Sequence, residues 1–151
     1  MGIISLPALC ETAWAIKGEG AYCGSQRLLV SEHNIIKGSF IGTADLYCFK
    51  EKNCMNLFSR LHREAKIVRT YPDAFGHLMA IRGAIDVMID PWAHIWELAP
   101  CKIIVKEAWG EFANFRGNKA GINAGNAVSR NPELVKAVRR MIREGNLRKH
   151  A

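Results

Sequence analysis

Between Lys66 and Gly110 the apolar residues recur with two different periods, and polar residues collect at the joints between them. Ile67 and Val68 make a short apolar run of the kind that builds a strand. Phe75, Leu78, Met79 and Arg82 then follow helical spacing up to Gly83. Pro72 disfavours helix in the residue before it and aspartate is a good N-cap, so the helix is predicted to start at Asp73. Ala84 to Ile89 alternate weakly as a second strand, stopped by Asp90-Pro91. Leu98, Cys101, Val105 and Ala108 stand three, four and three residues apart, which predicts an amphipathic helix closed by Trp109-Gly110. Glu97 falls in its first turn and His94 three residues earlier. The order is strand, helix, strand, acidic turn and helix, as on an α/β scaffold.

The flanking segments read in the same way. Residues 2 to 6 and 11 to 17 suit strands joined by a turn at Pro7 to Cys10, and Gly18-Glu19-Gly20 reads as a hairpin turn. Arg27 to Val30 is predicted as a short strand, with His33 on the surface of a polar connector, and Ser39 to Thr43 as a strand of the main sheet. Asn53 to Ala65 places Cys54, Leu57, Phe58 and Leu61 on one helix face, with Arg60, Arg63 and Glu64 on the other. Glu111 to Phe115 reads as a strand and Arg116 to Lys119 as a turn. Asn131 is the predicted N-cap of a last helix with Pro132 at its first position, a buried stripe of Leu134, Val138, Met141 and Ile142, and an end at Gly145. There is no repeat, low-complexity segment or linker, so residues 1 to 151 are expected to form one domain.

Composition narrows the class. A chain of 151 residues buries about 70% of its unfolded surface, and 49% hydrophobic with 23% charged residues is ordinary for a globular domain. The formal net charge is +7, part of it on Lys136, Arg139, Arg140, Arg143, Arg148 and Lys149. No aromatic residue is interleaved with them to stack on bases, which favours a solvated helix face over nucleic-acid binding. Five cysteines, at 10, 23, 48, 54 and 101, contain no Cys-x-x-Cys pair. An odd number of cysteines, no basic leader and no apolar window of about 18 residues lead us to expect reduced thiols, a cytoplasmic setting and no membrane insertion.

Asp73, Asp90 and Glu97, with His94, fall at the ends of predicted elements. In an open α/β sheet, ligand sites form in the crevice beyond the strand ends. Each acid also has a purely local role open to it: Asp73 as a cap, Asp90 as a turn former, Glu97 as a first-turn acid facing the helix dipole.

Four stretches carry a resemblance: Arg69-Thr70-Tyr71-Pro72-Asp73-Ala74-Phe75-Gly76, Gly83 to Pro91, Ile95-Trp96-Glu97-Leu98-Ala99-Pro100, and Glu107 to Phe112. They resemble the C-terminal half of the inositol monophosphatase superfamily, and most of all its histidinol-phosphatase-type branch. Gly2-Ile3-Ile4, Pro7-Ala8-Leu9, Glu11-Thr12 and Gly18-Glu19-Gly20-Ala21 are similar to the paired strands that follow that family's central motif. The resemblance implies a sugar-phosphatase-like α/β fold, a mixed sheet with helices on its faces, and a short buried strand at Ala120 to Ala127. It also implies magnesium-dependent hydrolysis of phosphomonoesters. Glu97 stands where the family has a metal-binding aspartate, on an arm longer by about 1.5 Å. Asp90 stands where the family has an acid that holds the substrate's hydroxyl or amine. Asp73 and His94 would flank the same pocket, which suits a cationic amino alcohol such as histidinol phosphate.

The family's other metal ligands lie in its first half, on a glutamate and an Asp-Pro-x-Asp-Gly-Thr motif. This sequence has aspartates only at 45, 73, 86 and 90 and lacks that motif; Asp90-Pro91-Trp92-Ala93 is its nearest approach. The metal-binding half is therefore expected to be absent, and the chain to have little activity without a separate N-terminal half. The alternative is a non-catalytic module that pairs, with itself or with another chain, through the face the missing half would cover.

Overall fold

A computed structural model describes residues 1–116 and 121–147. The predicted turn at Arg116 to Lys119 therefore lies largely outside the described residues, as do Ala120, Arg148 and Lys149. Two sheets and two helical layers alternate. An antiparallel sheet carries β1 (Gly2–Leu6), β2 (Glu11–Ile16), β3 (Gly20–Cys23) and β4 (Gln26–Arg27) in that order. A mixed sheet runs in the order β6 (Ile67–Thr70), β5 (Phe40–Thr43), β7 (Val87–Asp90), β9 (Ala127–Arg130), β8 (Glu111–Ala113). Its first three strands are parallel and β9 is antiparallel to both neighbours.

Between the sheets lie α3 (Asp73–Ile81) and α4 (Ile95–Glu107). Leu78, Ile81, Cys101, Ile104 and Val105 from these helices pack on Ile4, Ala13, Ala15 and Ala21 of the antiparallel sheet. The outer face of the mixed sheet is covered by α1 (Leu46–Glu51), α2 (Met55–Glu64) and α5 (Pro132–Leu147). There Ile41, Val87, Ile89 and Val128 meet Phe49, Leu57, Leu61, Leu134, Val135 and Val138. Strand period decides what faces the inner helices. Val87 and Ile89 enter the outer core, so Met88 and Asp90 turn toward α3 and α4.

Small residues set the closest approaches between layers. A β-carbon on Gly2 would stand 2.3 Å from Ile103 Cγ2 and 2.9 Å from the Pro100 carbonyl oxygen. Gly2→Ala is expected to cost about 1–3 kcal/mol by overpacking. Chemical denaturation checks this, and an unchanged midpoint would show that β1 does not bear on α4.

Several expectations need correction. Helix α3 starts at Asp73 as predicted, but Asp73 is its first helical residue, with an unusual φ of +46°, and Pro72 is the N-cap. The strand expected at Ala84 to Ile89 is shorter and later, because the Asp86 carboxylate draws the chain into a tight turn against Phe40. Beyond Arg27 no strand forms over 28–30, although Val30 N–H donates to the Ala108 carbonyl. Residues 121–124 form a 3-10 helix, not a strand. Gly145 does not end α5, which runs to Leu147. His33 is half-buried, its carbonyl accepting from Asn131. The short helix α1, capped by Asp45, has no apolar period long enough to betray it. The Asn131 cap and the buried stripe of α5 are as predicted. No helix among the described residues is long and apolar enough to cross a membrane.

Candidate functional site

The parallel strands β5 and β7 end side by side, and each runs into a polar joint. After β5 comes Asp45, whose Oδ1 accepts from Cys48 N–H at 2.9 Å. After β7 the chain turns through Pro91 to Ala93 into α4. Strand β6 leads through Tyr71-Pro72 to Asp73, with Tyr71 N–H donating to the Thr43 carbonyl. The three joints lie at the carboxyl end of the parallel strands, where a ligand-binding crevice is expected on this architecture.

Asp90 is the buried member, only 3% exposed. Its Oδ1 accepts from Trp92 N–H at 3.0 Å. Its Oδ2 lies 3.9 Å from Nε2 of His77, a fully buried imidazole on α3. His77 Nδ1 lies 2.8 Å from Ser129 Oγ on β9. Burial pushes the Asp90 carboxyl up to about 7; the Trp92 N–H opposes this, and the negative fields of Glu97, Asp73 and Asp45 add to it. Burial pulls His77 down to about 4, which keeps it neutral. The Cys48 thiol, half-buried near the same acids, is pushed up to about 11 by burial and by Asp45.

The other predicted residues stand apart in character. Asp73 is exposed at the first residue of α3, in a left-handed conformation that aspartate tolerates better than most side chains. Its field and that of Glu97 both reach Asp90. Glu97 Oε2 accepts from His94 N–H at 2.5 Å, turning the carboxylate back onto the start of its own helix. The His94 ring is exposed and stacks on Trp96 with centroids 4.4 Å apart. Exposed Trp92, with Lys52 Nζ 4.4 Å above its ring, completes the rim.

The residues present do not by themselves fit a magnesium site. Magnesium requires near-ideal octahedral oxygen geometry. Glu97 is engaged in the helix start, and among the described residues no three His, Cys, Asp or Glu side chains converge to hold an ion. Sequence reading missed Asp45, His77 and Ser129. His77 and Ser129 carry a signal in retrospect, as polar residues on otherwise apolar faces of α3 and β9. The basic face of α5 is partly neutralised: Lys136 pairs with Glu133 at 2.7 Å and Arg140 with Glu144 at 3.8 Å.

Comparison with known proteins gives a consistent result. The inositol monophosphatase family matches residues 1–145. The histidinol-phosphatase of Streptomyces coelicolor is 31% identical over 139 residues, covering 89% of this chain and 52% of that protein. The fructose-1,6-bisphosphatase/inositol-1-monophosphatase of Thermotoga maritima is 28% identical over 149 residues, covering 95% of this chain and 57% of that protein. Among solved structures, a Thermotoga maritima IMPase superposes with a TM-score of 0.82 at 26% identity, over 97% of this chain and 56% of its own. The extragenic suppressor protein suhB of Bartonella henselae superposes with a TM-score of 0.85 at 20% identity, over 95% of this chain and 56% of its own, a likeness of fold. The chain spans about half the length of the curated relatives it matches.

Proposed function

The chain belongs to the inositol monophosphatase family, and from that premise we propose that it supplies the substrate-holding side of a divalent-metal-dependent phosphomonoesterase of the histidinol-phosphatase type. Asp90 carries the reading. It is a buried carboxyl at the end of a central parallel strand, at the position where the family resemblance puts the acid that holds the substrate. The charged groups whose fields reach it, Glu97, Asp73 and Asp45, are all acids. Such a crevice favours a substrate with a cationic amine and repels a second anion placed against Asp90.

The metal in this proposal is magnesium, which the family's chemistry uses to assist phosphoryl transfer. The residues that bind it come mainly from polypeptide beyond these 151 residues, in the same or a separate chain, because Glu97 alone cannot assemble the site. Chemical-shift mapping with histidinol phosphate tests the substrate side without needing turnover. Shifts centred on residues 43–48, 71–73 and 90–97 are expected, and lost in Asp90→Asn. Shifts confined to other surfaces would overturn the assignment.

A second reading, a non-catalytic module, draws on the outer face of the antiparallel sheet. Ile3, Trp14 and Tyr22 are cross-strand partners there, opposite the face on α4, with the two aromatic rings stacked at 5.0 Å. Ile3 is 48% exposed. The occupant that fits is polypeptide equivalent to the part of the relatives this chain does not span, whether or not catalysis survives. Sedimentation separates the cases. A clean monomer at high concentration, unaffected by an added first half, counts against this reading.

A further inference from the structure

We propose that His77 is the positioning residue for Asp90: a buried line of Ser129, His77 and Asp90 fixes which carboxylate oxygen turns toward the crevice. The inference rests on Asp90 being the substrate-holding acid and extends that reading to the groups that aim it.

The register of the mixed sheet creates the line. Met88 pairs with Ser129 and Asp90 with Ala127, so Ser129 and Asp90 lie on the same face, diagonal to each other across two strands. Helix α3 crosses that face and lays His77 over both. Ser129 and His77 are fully buried, so the serine is no nucleophile; no substrate can reach it. A site asking only for packing would be filled by an apolar side chain, since a buried polar group costs free energy unless it is hydrogen-bonded.

Proton bookkeeping gives the line a direction. A neutral imidazole has one donor and one acceptor, and an ionised carboxylate accepts only. Nε2 has no hydrogen-bond partner among the described residues, and the Asp90 oxygen it faces at 3.9 Å lies beyond hydrogen-bond reach by about 1 Å. For that gap to close on ionised Asp90, Nε2 must carry the proton. Nδ1 is then the acceptor, and the Ser129 hydroxyl at 2.8 Å is its donor. Trp92 N–H holds Oδ1 and His77 Nε2 faces Oδ2, so closing that gap would fix the carboxylate plane from two sides. The other groups facing Asp90 are Asp45 ahead of α1, Asp73 on α3 and Glu97 on α4, with the Cys48 and Cys101 thiols. None of the three acids can donate when ionised, and both thiols are weak donors. His77 is the side chain placed to stabilise the charged form.

Nitrogen-15 spectra of histidine and carboxyl carbon-13 titrations on the full 151-residue chain test this without ligand or turnover. His77 is expected as the neutral Nε2–H tautomer near pH 8, where Asp90 is ionised. Ser129→Ala should raise the Nδ1–H fraction several-fold and move the Asp90 midpoint upward by about one on the pH scale. His77→Phe should move it at least as far, and His77→Gln, which restores an N–H donor, should bring it back. If His77→Phe does not fold, Ser129→Ala carries the test alone. A proton on Nδ1 in the parent chain near pH 8, or an Asp90 midpoint identical in the parent and Ser129→Ala, would overturn the proposal. Neither outcome bears on substrate mapping, so failure here and failure of the functional reading are told apart.

Discussion

Asp86→Ala is expected to lose about 3–5 kcal/mol of stability, the cost of leaving a buried charge without its partner. Arg130 is fully buried at the end of the sheet away from the crevice. Its Nη2 lies 3.3 Å from Asp86 Oδ1 and also donates to Ser31 Oγ, while Nε and Nη1 have no partner among the described residues. Burial pulls the guanidinium down to about 10, a sign that its charge is already costly there. Asp86 does more than neutralise it. Its Oδ2 accepts from Phe40 N–H at 2.8 Å and its Oδ1 from Ser31 Oγ at 2.8 Å, tying β5 and the 28–36 connector to the start of β7. Urea denaturation reads the loss. Adding Arg130→Met should restore more than half of it, because an apolar side chain does not need the carboxylate. A double variant no more stable than Asp86→Ala would show that the backbone ties, not the charge pair, carry the effect.

Asp90→Asn should move stability the other way. The Asp90 carboxyl titrates near 7 in the folded chain against an ordinary value of 3.8. A group whose folded value is raised contributes fully at pH below its unfolded value, and that contribution is lost as pH rises through the folded value. At pH 8 the buried carboxylate is therefore a burden on the order of 2–4 kcal/mol, since every tenfold change in a proton-binding constant is worth about 1.4 kcal/mol. Asparagine keeps an acceptor for Trp92 N–H and removes the charge. The variant should exceed the parent in stability at pH 8, with the gap shrinking to near zero at pH 4. His77 works in the opposite sense. Its folded value is lowered from 6.5 to about 4, so its contribution is present above 6.5 and lost as pH falls through 4. In the parent the two slopes largely offset each other. In Asp90→Asn the histidine slope should appear alone, as instability growing from pH 6.5 to 4. Denaturation midpoints across this pH range decide this, and a variant less stable than the parent at pH 8 would mean the carboxylate is better compensated than its surroundings indicate. The functional counterpart is loss of binding, so the residue that weakens the fold is the one the site needs.

Long periodic segments are legible from the sequence, as are the short strands at 2–6, 11–16 and 40–43, but segments shaped by distant side chains are not. Leu98, Cys101, Val105 and Ala108 announce α4 because a full helical stripe must face the core, and all four are buried. Asn131-Pro132 announces the start of α5 through local chemistry that tertiary structure has no reason to override. The start of β7 was misplaced because Asp86 uses its side chain to bond the backbone of a distant strand, which no local pattern encodes. Asp73 starts α3 where the sequence places it, but Pro72 takes the cap position and leaves the aspartate in a left-handed conformation that no local pattern announces. At the crevice the acids could be found from their place at element ends. The partners that orient them, His77 and Ser129, could not, since their meeting depends on strand register and on how α3 crosses the sheet. Asp45 escaped for a related reason: its helix, Leu46–Glu51, is too short to show a period.

On this reading the chain is one side of a phosphomonoesterase, competent to hold substrate and unable to assemble a metal site from its own residues. The direct measurement is magnesium-dependent hydrolysis of histidinol phosphate, with inositol phosphate alongside, by the purified chain with and without the first half of a family member added in trans. Phosphate release is expected only when both polypeptides are present, and Asp90→Asn should abolish it. Release by the chain alone at the rate of the reconstituted pair, or none from the pair, would contradict that reading.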